Sequence, residues 1–185
     1  MNITRLAIAD VAIIEPEVFG DARGFFFESF NRRKLEAALG RPLDFVQDNI
    51  SRSTKNVLRG LHYQIRQPQA KLVRVLAGAV LDVAVDIRRS SATHGKWVAE
   101  VLSAENKKQM WIPEGFAHGF LILSDEAEFF YKTTDYWAPE HERCIAWDDK
   151  QLDIDWCSNG DKGVKPVLSA KDQLGAAFAH AETFE

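Results

Sequence analysis

His62 and Arg59 stand close together in the segment VLRGLHYQ, residues 57–64. An imidazole titrates near neutrality, so it can remove a proton at physiological pH, and a neighbouring guanidinium can hold an anionic substrate. The same two residues also fit a histidine satisfied by the backbone and an arginine in solvent. On a strand, alternation makes Asp82 a candidate carboxylate partner for such a histidine, although an exposed strand aspartate is the commoner case. Asp172 has a plainer reading, because Ser169-Ala170-Lys171-Asp172 has the form of a capping box. Tyr131 lies in the apolar run AEFFYKTT, where alternation puts Phe129, Tyr131 and Thr133 on one face and Phe130 and Lys132 on the other. That face could be core or the inside of a barrel.

These residues need a scaffold, and the chain's pattern is mainly β. Runs rich in valine, isoleucine, leucine and aromatics recur between Gly, Pro, Asn and Asp signals, at 45–50, 57–64, 96–103, 109–113, 116–123 and 127–134. Residues 71–88 read as two strands joined at Ala77-Gly78 in a hairpin, with Leu81, Val83, Val85 and Ile87 on one face and Asp82 and Asp86 on the other. So many strands on short connections predict a sandwich or barrel. Two helices are expected as appendages: RRKLEAAL between an Asn31 cap and Gly40, and AKDQLGAAFAHA after Ser169.

The 185 residues suffice for one domain, read as 1–185, with a core that needs neither disulfide nor metal. A net charge of -4 and the absence of basic runs argue against nucleic acid or a membrane surface as the main partner. Cys144 and Cys157 lack CxxC or zinc-type spacing and read as reduced thiols of a cytosolic protein. The first thirty residues carry Asp10, Glu15, Glu17, Asp21 and Arg23, and no later stretch reaches the roughly 18 apolar residues of a membrane span. A soluble, untargeted, cytoplasmic protein is expected.

Taken together, ARGFFFES (22–29), QDNIS (47–51), VLRGLHYQ, KLVRVL (71–76), IPEGFAHGF (112–120), FYKTTDYWAPEHE (130–142) and LSAKD (168–172) closely resemble the dTDP-4-dehydrorhamnose 3,5-epimerase family. The resemblance runs in order from about residue 2 to residue 175. It implies a cupin-type jelly roll or β-sandwich, dimeric, acting without metal or organic cofactor on a dTDP-4-keto-6-deoxyhexose. By the same resemblance His62 is the proton acceptor, Tyr131 the acid on the opposite face, Asp172 the carboxylate of a dyad with His62, and Lys71 the ammonium near the sugar ketone. Arg23 and Arg59 match its anion clamps, and Glu28, Gln47, Asp48, Asn49, His118, Glu142 and Lys171 its other substrate-binding positions. Phe19, Phe26, Phe120, Tyr136 and Trp137 offer stacking faces for thymine. The family also implies that an N-terminal segment, residues 19–28, completes the partner's site. Asn56 stands where relatives often have glycine, in the turn before VLRG.

Three other readings are open at this level. A metal-dependent cupin would use histidines and a carboxylate, but its usual His-X-His pair is missing; only His62, His118 and a distant carboxylate could serve, with His94, His141 and His180 scattered. A single-centre epimerase, inverting carbon 3 or carbon 5 alone, would carry the same motifs. A purely binding module would not require His62 and Tyr131 together.

Overall fold

The computed structural model describes residues 1–156 and 165–185, and Cys157 lies outside the described residues. In chain order the strands are β1 (Asn2–Arg5), β2 (Ala12–Glu15), β3 (Val18–Asp21), β4 (Gly24–Phe27), β5 (Gln47–Thr54), β6 (Leu58–Gln64) and β7 (Lys71–Ala77). Then follow β8 (Ala79–Asp86), β9 (Trp97–Ser103), β10 (Gln109–Ile112), β11 (Phe116–Ile122), β12 (Glu126–Thr133) and β13 (Glu142–Cys144). They form two antiparallel sheets, ordered β1-β2-β10-β7-β12-β5 and β13-β6-β11-β8-β9, and a separate β3-β4 hairpin. Apolar side chains from the two inner faces, among them Val73, Val75, Val80, Ala84, Met110, Phe120 and Phe129, interdigitate between the sheets. The outer face of the second sheet is covered by the returning chain through Ile145, Leu152, Trp156 and Phe178. This is the cupin-type double sheet that the strand pattern and the resemblance predict.

The six expected strands at 45–134 all form, each within a few residues of its sequence limits. The hairpin at 71–88 does not. A single residue, Gly78, separates β7 from β8, too few for a two-residue hairpin turn, and the two strands enter different sheets. Gly78 makes this corner with a φ of 76°, and a Cβ there would meet the Glu126 carbonyl oxygen at 2.1 Å. β8 is buried on both faces, so Asp82 is fully buried rather than exposed. The short strands β1 to β4 and β13, of three or four residues, are not among the strands expected from the pattern.

Helix α1 (Arg32–Leu39) forms as expected: the Asn31 side chain accepts from the Lys34 N–H, and Gly40 closes the helix in the left-handed region. Its Leu35 packs with Leu43 and Trp111 against the first sheet. The C-terminal helix is far shorter than AKDQLGAAFAHA suggests. α2 spans only Ala170–Gln173, because Gly175 packs against the backbone of Ala146 and the chain there pairs with Ile145 instead. Asn56 adopts φ 66° itself, a conformation asparagine tolerates better than most non-glycine residues.

Candidate active site

The two sheets diverge at one end around a cavity of about 330 Å³. β6 and β11, in the second sheet, supply Arg59, His62, Gln64, His118 and Phe120; β13 adds Glu142. β5, β7 and β12, in the first sheet, supply Asn49, Ser51, Lys71 and Tyr131. His62 and Tyr131 therefore approach the same space from different sheets. The alternation expected on β12 holds, with Phe129 and Thr133 buried beside Tyr131 on the inner face.

His62 Nε2 lies 2.6 Å from Asp172 Oδ1. Burial pushes the Asp172 carboxyl up, but hydrogen bonds from His62 and Ser169 outweigh it and hold the group down at about 2. An ionised carboxylate only accepts, so Nε2 donates this bond, and in the neutral ring Nδ1 is the nitrogen with the lone pair. Asp172 is also a cap residue: its N–H donates to Ser169 Oγ at 3.2 Å, and the Ser169 hydroxyl donates back to Oδ2 at 2.7 Å. One carboxylate thus closes the first turn of α2 and orients the histidine. Asp82 is not the partner of His62. Its two oxygens lie 3.0 and 3.1 Å from His118 Nε2, making a second, deeper pair. Burial pushes the His118 ring down in pKa, against the pull of Asp82.

Lys71 borders the cavity yet is ringed by protein, and this burial lowers its ammonium to about 8, opposed by the charges of Asp82 and Glu142. It is thus a cation of unusually low pKa facing the space between His62 and Tyr131. Burial raises the Tyr131 phenol above its ordinary value, keeping it protonated near neutrality. Glu142 forms an ion pair with Lys171 at the rim. Arg59 donates through Nε and Nη2 to Ser53 Oγ at 3.0 and 2.9 Å.

The other sequence candidates lie elsewhere. Gln47 is at the cavity's edge, its amide donating to Asn49 Oδ1 at 2.8 Å and its carbonyl accepting from the Trp137 N–H at 3.0 Å. Asp48 is a correction: strand alternation turns its carboxylate to the outer face of β5, where Lys132 binds it at 2.8 Å. Arg23 sits on the β3-β4 hairpin bound to Asp21, and Glu28 just after it is bound to Lys34 at 2.8 Å; neither borders the cavity. Of the stacking candidates, Trp137 lines the cavity, Phe120 is buried in it against Phe129 at 4.0 Å between ring centroids, and Phe19 and Phe26 are exposed on the hairpin. Sequence reasoning missed Ser169 as a hydroxyl partner of Asp172, and Gln64, whose only signal is its place two residues after His62 on the same strand face.

His62, Cys144 and Asp172 bring donor atoms within 4.8 Å of one another. Two ligands of one tetrahedral ion at about 2.1 Å stand about 3.3 Å or more apart, so the 2.6 Å separation of His62 and Asp172 is that of a hydrogen bond. Burial raises the Cys144 thiol to about 11, which disfavours the thiolate a metal requires.

A cupin-type double sheet with a histidine–carboxylate dyad on one wall, a phenol on the other and a lysine between them has the makings of an isomerase that moves protons. Residues 5–180 match the family model described as dTDP-4-dehydrorhamnose 3,5-epimerase. The chain is 65% identical over 184 residues to the dTDP-4-dehydrorhamnose 3,5-epimerase of Pseudomonas aeruginosa, covering 100% of this chain and 99% of that one. The structure of the dTDP-6-deoxy-D-glucose-3,5-epimerase of Legionella pneumophila, in complex with dTDP-4-keto-L-rhamnose, superposes with a TM-score of 0.93 at 54% identity, over 98% of this chain and 94% of that one. ChmJ, a 3'-monoepimerase from Streptomyces bikiniensis, superposes at 0.87 with 32% identity, over 95% and 87%. The chain belongs to the dTDP-4-dehydrorhamnose 3,5-epimerase family.

Proposed function

We propose that this protein epimerises carbons 3 and 5 of dTDP-4-dehydro-6-deoxy-D-glucose, giving dTDP-4-dehydro-L-rhamnose, in the dTDP-rhamnose route. The observation that carries the reading is the placement of His62, backed by Asp172 of α2, on one sheet and Tyr131 on the other, around one cavity with Lys71. The ketone at carbon 4 acidifies the hydrogens on carbons 3 and 5. His62 Nδ1 takes one of them, the C–H electron pair moves onto the carbon 4 oxygen, and the Lys71 ammonium stabilises the enolate. Tyr131 then protonates the same carbon from the opposite face, inverting it. Each inversion leaves His62 protonated and Tyr131 ionised, so the pair exchanges protons with solvent before the next. Positioned acid–base groups supply about 10²–10⁴-fold, and a donor aimed at the oxyanion roughly 3–4 kcal/mol. The chemistry is redox-neutral, and none of its steps calls for an electron carrier.

Arg59 is the cation at the cavity mouth suited to the pyrophosphate, with Gln47, Asn49, His118, Glu142 and Lys171 offering further hydrogen bonds. Arg23 and Glu28 cannot serve the cavity of their own chain as placed. The β3-β4 hairpin carries Arg23 with exposed Phe19, Phe25 and Phe26, an apolar arm fitted to a second copy. A homodimer in which each arm completes the other's nucleotide site accounts for both features. Cys144 as a free thiol fits a cytoplasmic setting.

Proton NMR of dTDP-4-keto-6-deoxyglucose with the chelator-treated protein in deuterated water tests the reading. Deuterium with inversion at carbons 3 and 5 is the expected result. Inversion at one carbon alone would move the protein to the single-centre reading that the likeness to ChmJ keeps in play. Absence of exchange with nucleotide-sugar binding retained would overturn the epimerase reading.

A further inference from the structure

Gln64 borders the cavity but is buried, and two of the three hydrogen bonds of its amide go to the loop after β12, the third to Gln67 in the β6-β7 connection. Its carbonyl accepts from the Ala138 N–H at 2.8 Å, and its NH₂ donates to the carbonyls of Tyr136 at 3.2 Å and Gln67 at 2.8 Å. The first two partners flank Trp137, whose own N–H is held by Gln47 on the opposite sheet. Trp137 is 60% exposed and lines the cavity alongside Glu142. Glu142 in turn faces Gln64 across the β6-β13 ladder. An indole exposed to this degree has too little packing of its own to fix it, so its place depends on the backbone beneath it.

Resting on the epimerase reading above, we infer that Gln64 is a positioning residue: it pins the 136–138 backbone to β6 and so sets Trp137 as the wall that closes the substrate against His62 and Lys71. Gln64 touches the reaction only through Trp137. A displacement of about 1 Å in such a wall costs up to about 10²-fold in rate through lost orientation.

The test is a double-mutant cycle of Gln64→Met and Trp137→Ala, reading kcat, KM, the pH profile and the dissociation constant of dTDP. Gln64→Met is expected to raise KM about tenfold or more with the limbs of the pH profile unmoved, and to have under about twofold effect once Trp137 is alanine. An equal loss in both backgrounds, or a shifted pH profile, would overturn the inference, since Gln64 would then act on the dyad or the core. If Gln64→Met does not fold, Gln64→Asn, which keeps a polar amide but is one methylene too short to reach the loop, replaces it, and its effect must likewise vanish without Trp137. The unaltered protein is assayed alongside. An inactive parent marks failure of the epimerase reading, and the cycle is then read on dTDP affinity; an active parent indifferent to Gln64→Met marks failure of this inference alone.

Discussion

His62 and Asp172 are separated by 110 residues and meet at 2.6 Å, one from strand β6 of the second sheet and the other from the first turn of a four-residue helix. The contact makes the ring's second nitrogen a base and ties its orientation to the Ser169 cap. His62→Ala is expected to cut turnover by roughly 10²–10⁴-fold with nucleotide binding kept. Asp172→Asn should lose at least about tenfold, and it should also loosen α2, visible as faster amide exchange there. Near-normal turnover in His62→Ala would remove the base assignment.

Tyr131 acts after the proton has left, so Tyr131→Phe separates two readouts. Solvent exchange at carbon 3 is expected to persist while formation of inverted product drops by roughly 10²-fold. Equal slowing of both would place Tyr131 in proton removal instead.

Lys71 is protonated at neutral pH and loses its charge through about 8, since burial lowers it. Enolate stabilisation depends on the charged form, so kcat is expected to fall as pH rises past 8. Lys71→Met should cost roughly 10²–10³-fold and remove that alkaline limb. A limb unchanged in the variant would assign it to another group.

Asp86 governs acid stability. It is fully buried, and although burial raises its pKa, hydrogen bonds from Arg88, Ser91 and Thr93 hold it at about 2, below the ordinary 3.8. A depressed carboxylate stabilises the fold above its unfolded pKa and loses that contribution as pH falls through the folded one. Roughly 2 kcal/mol should therefore disappear between pH 4 and 2. Urea midpoints measured across this range should fall steeply in the parent and less in Asp86→Asn, which starts lower at pH 7.

Gly60 crosses Gly119 so closely that a Cβ would stand 2.5 Å from the Gly119 Cα, and its φ is 139°. Gly60→Ala should destabilise the fold by about 3 kcal/mol or more and shift His62, two residues on. A melting temperature within a degree or two of the parent's would show that the β6-β11 crossing can relax.

Much of this protein is legible as sequence. Local alternation and turn residues determine the strands from β5 to β12, and the Asn31 and Gly40 caps determine α1, because these signals need only neighbouring residues. The motifs around His62, Lys71, Tyr131 and Asp172 likewise name the family and its chemistry. What the sequence by itself could not decide is which distant groups meet. Asp82 and Asp172 were both candidate partners of His62, and only the stacking order β13-β6-β11-β8-β9 gives Asp82 to His118 and leaves His62 to α2. The same holds for Gly78, where one residue sends β8 to the opposite sheet, and for Gln64 at the end of VLRGLHYQ, whose role comes from the loop above it. Strand periodicity fixes the face on which a side chain lies, but sheet order and long-range packing fix what stands across from it, because those contacts are set by burial of the whole core rather than by adjacent residues.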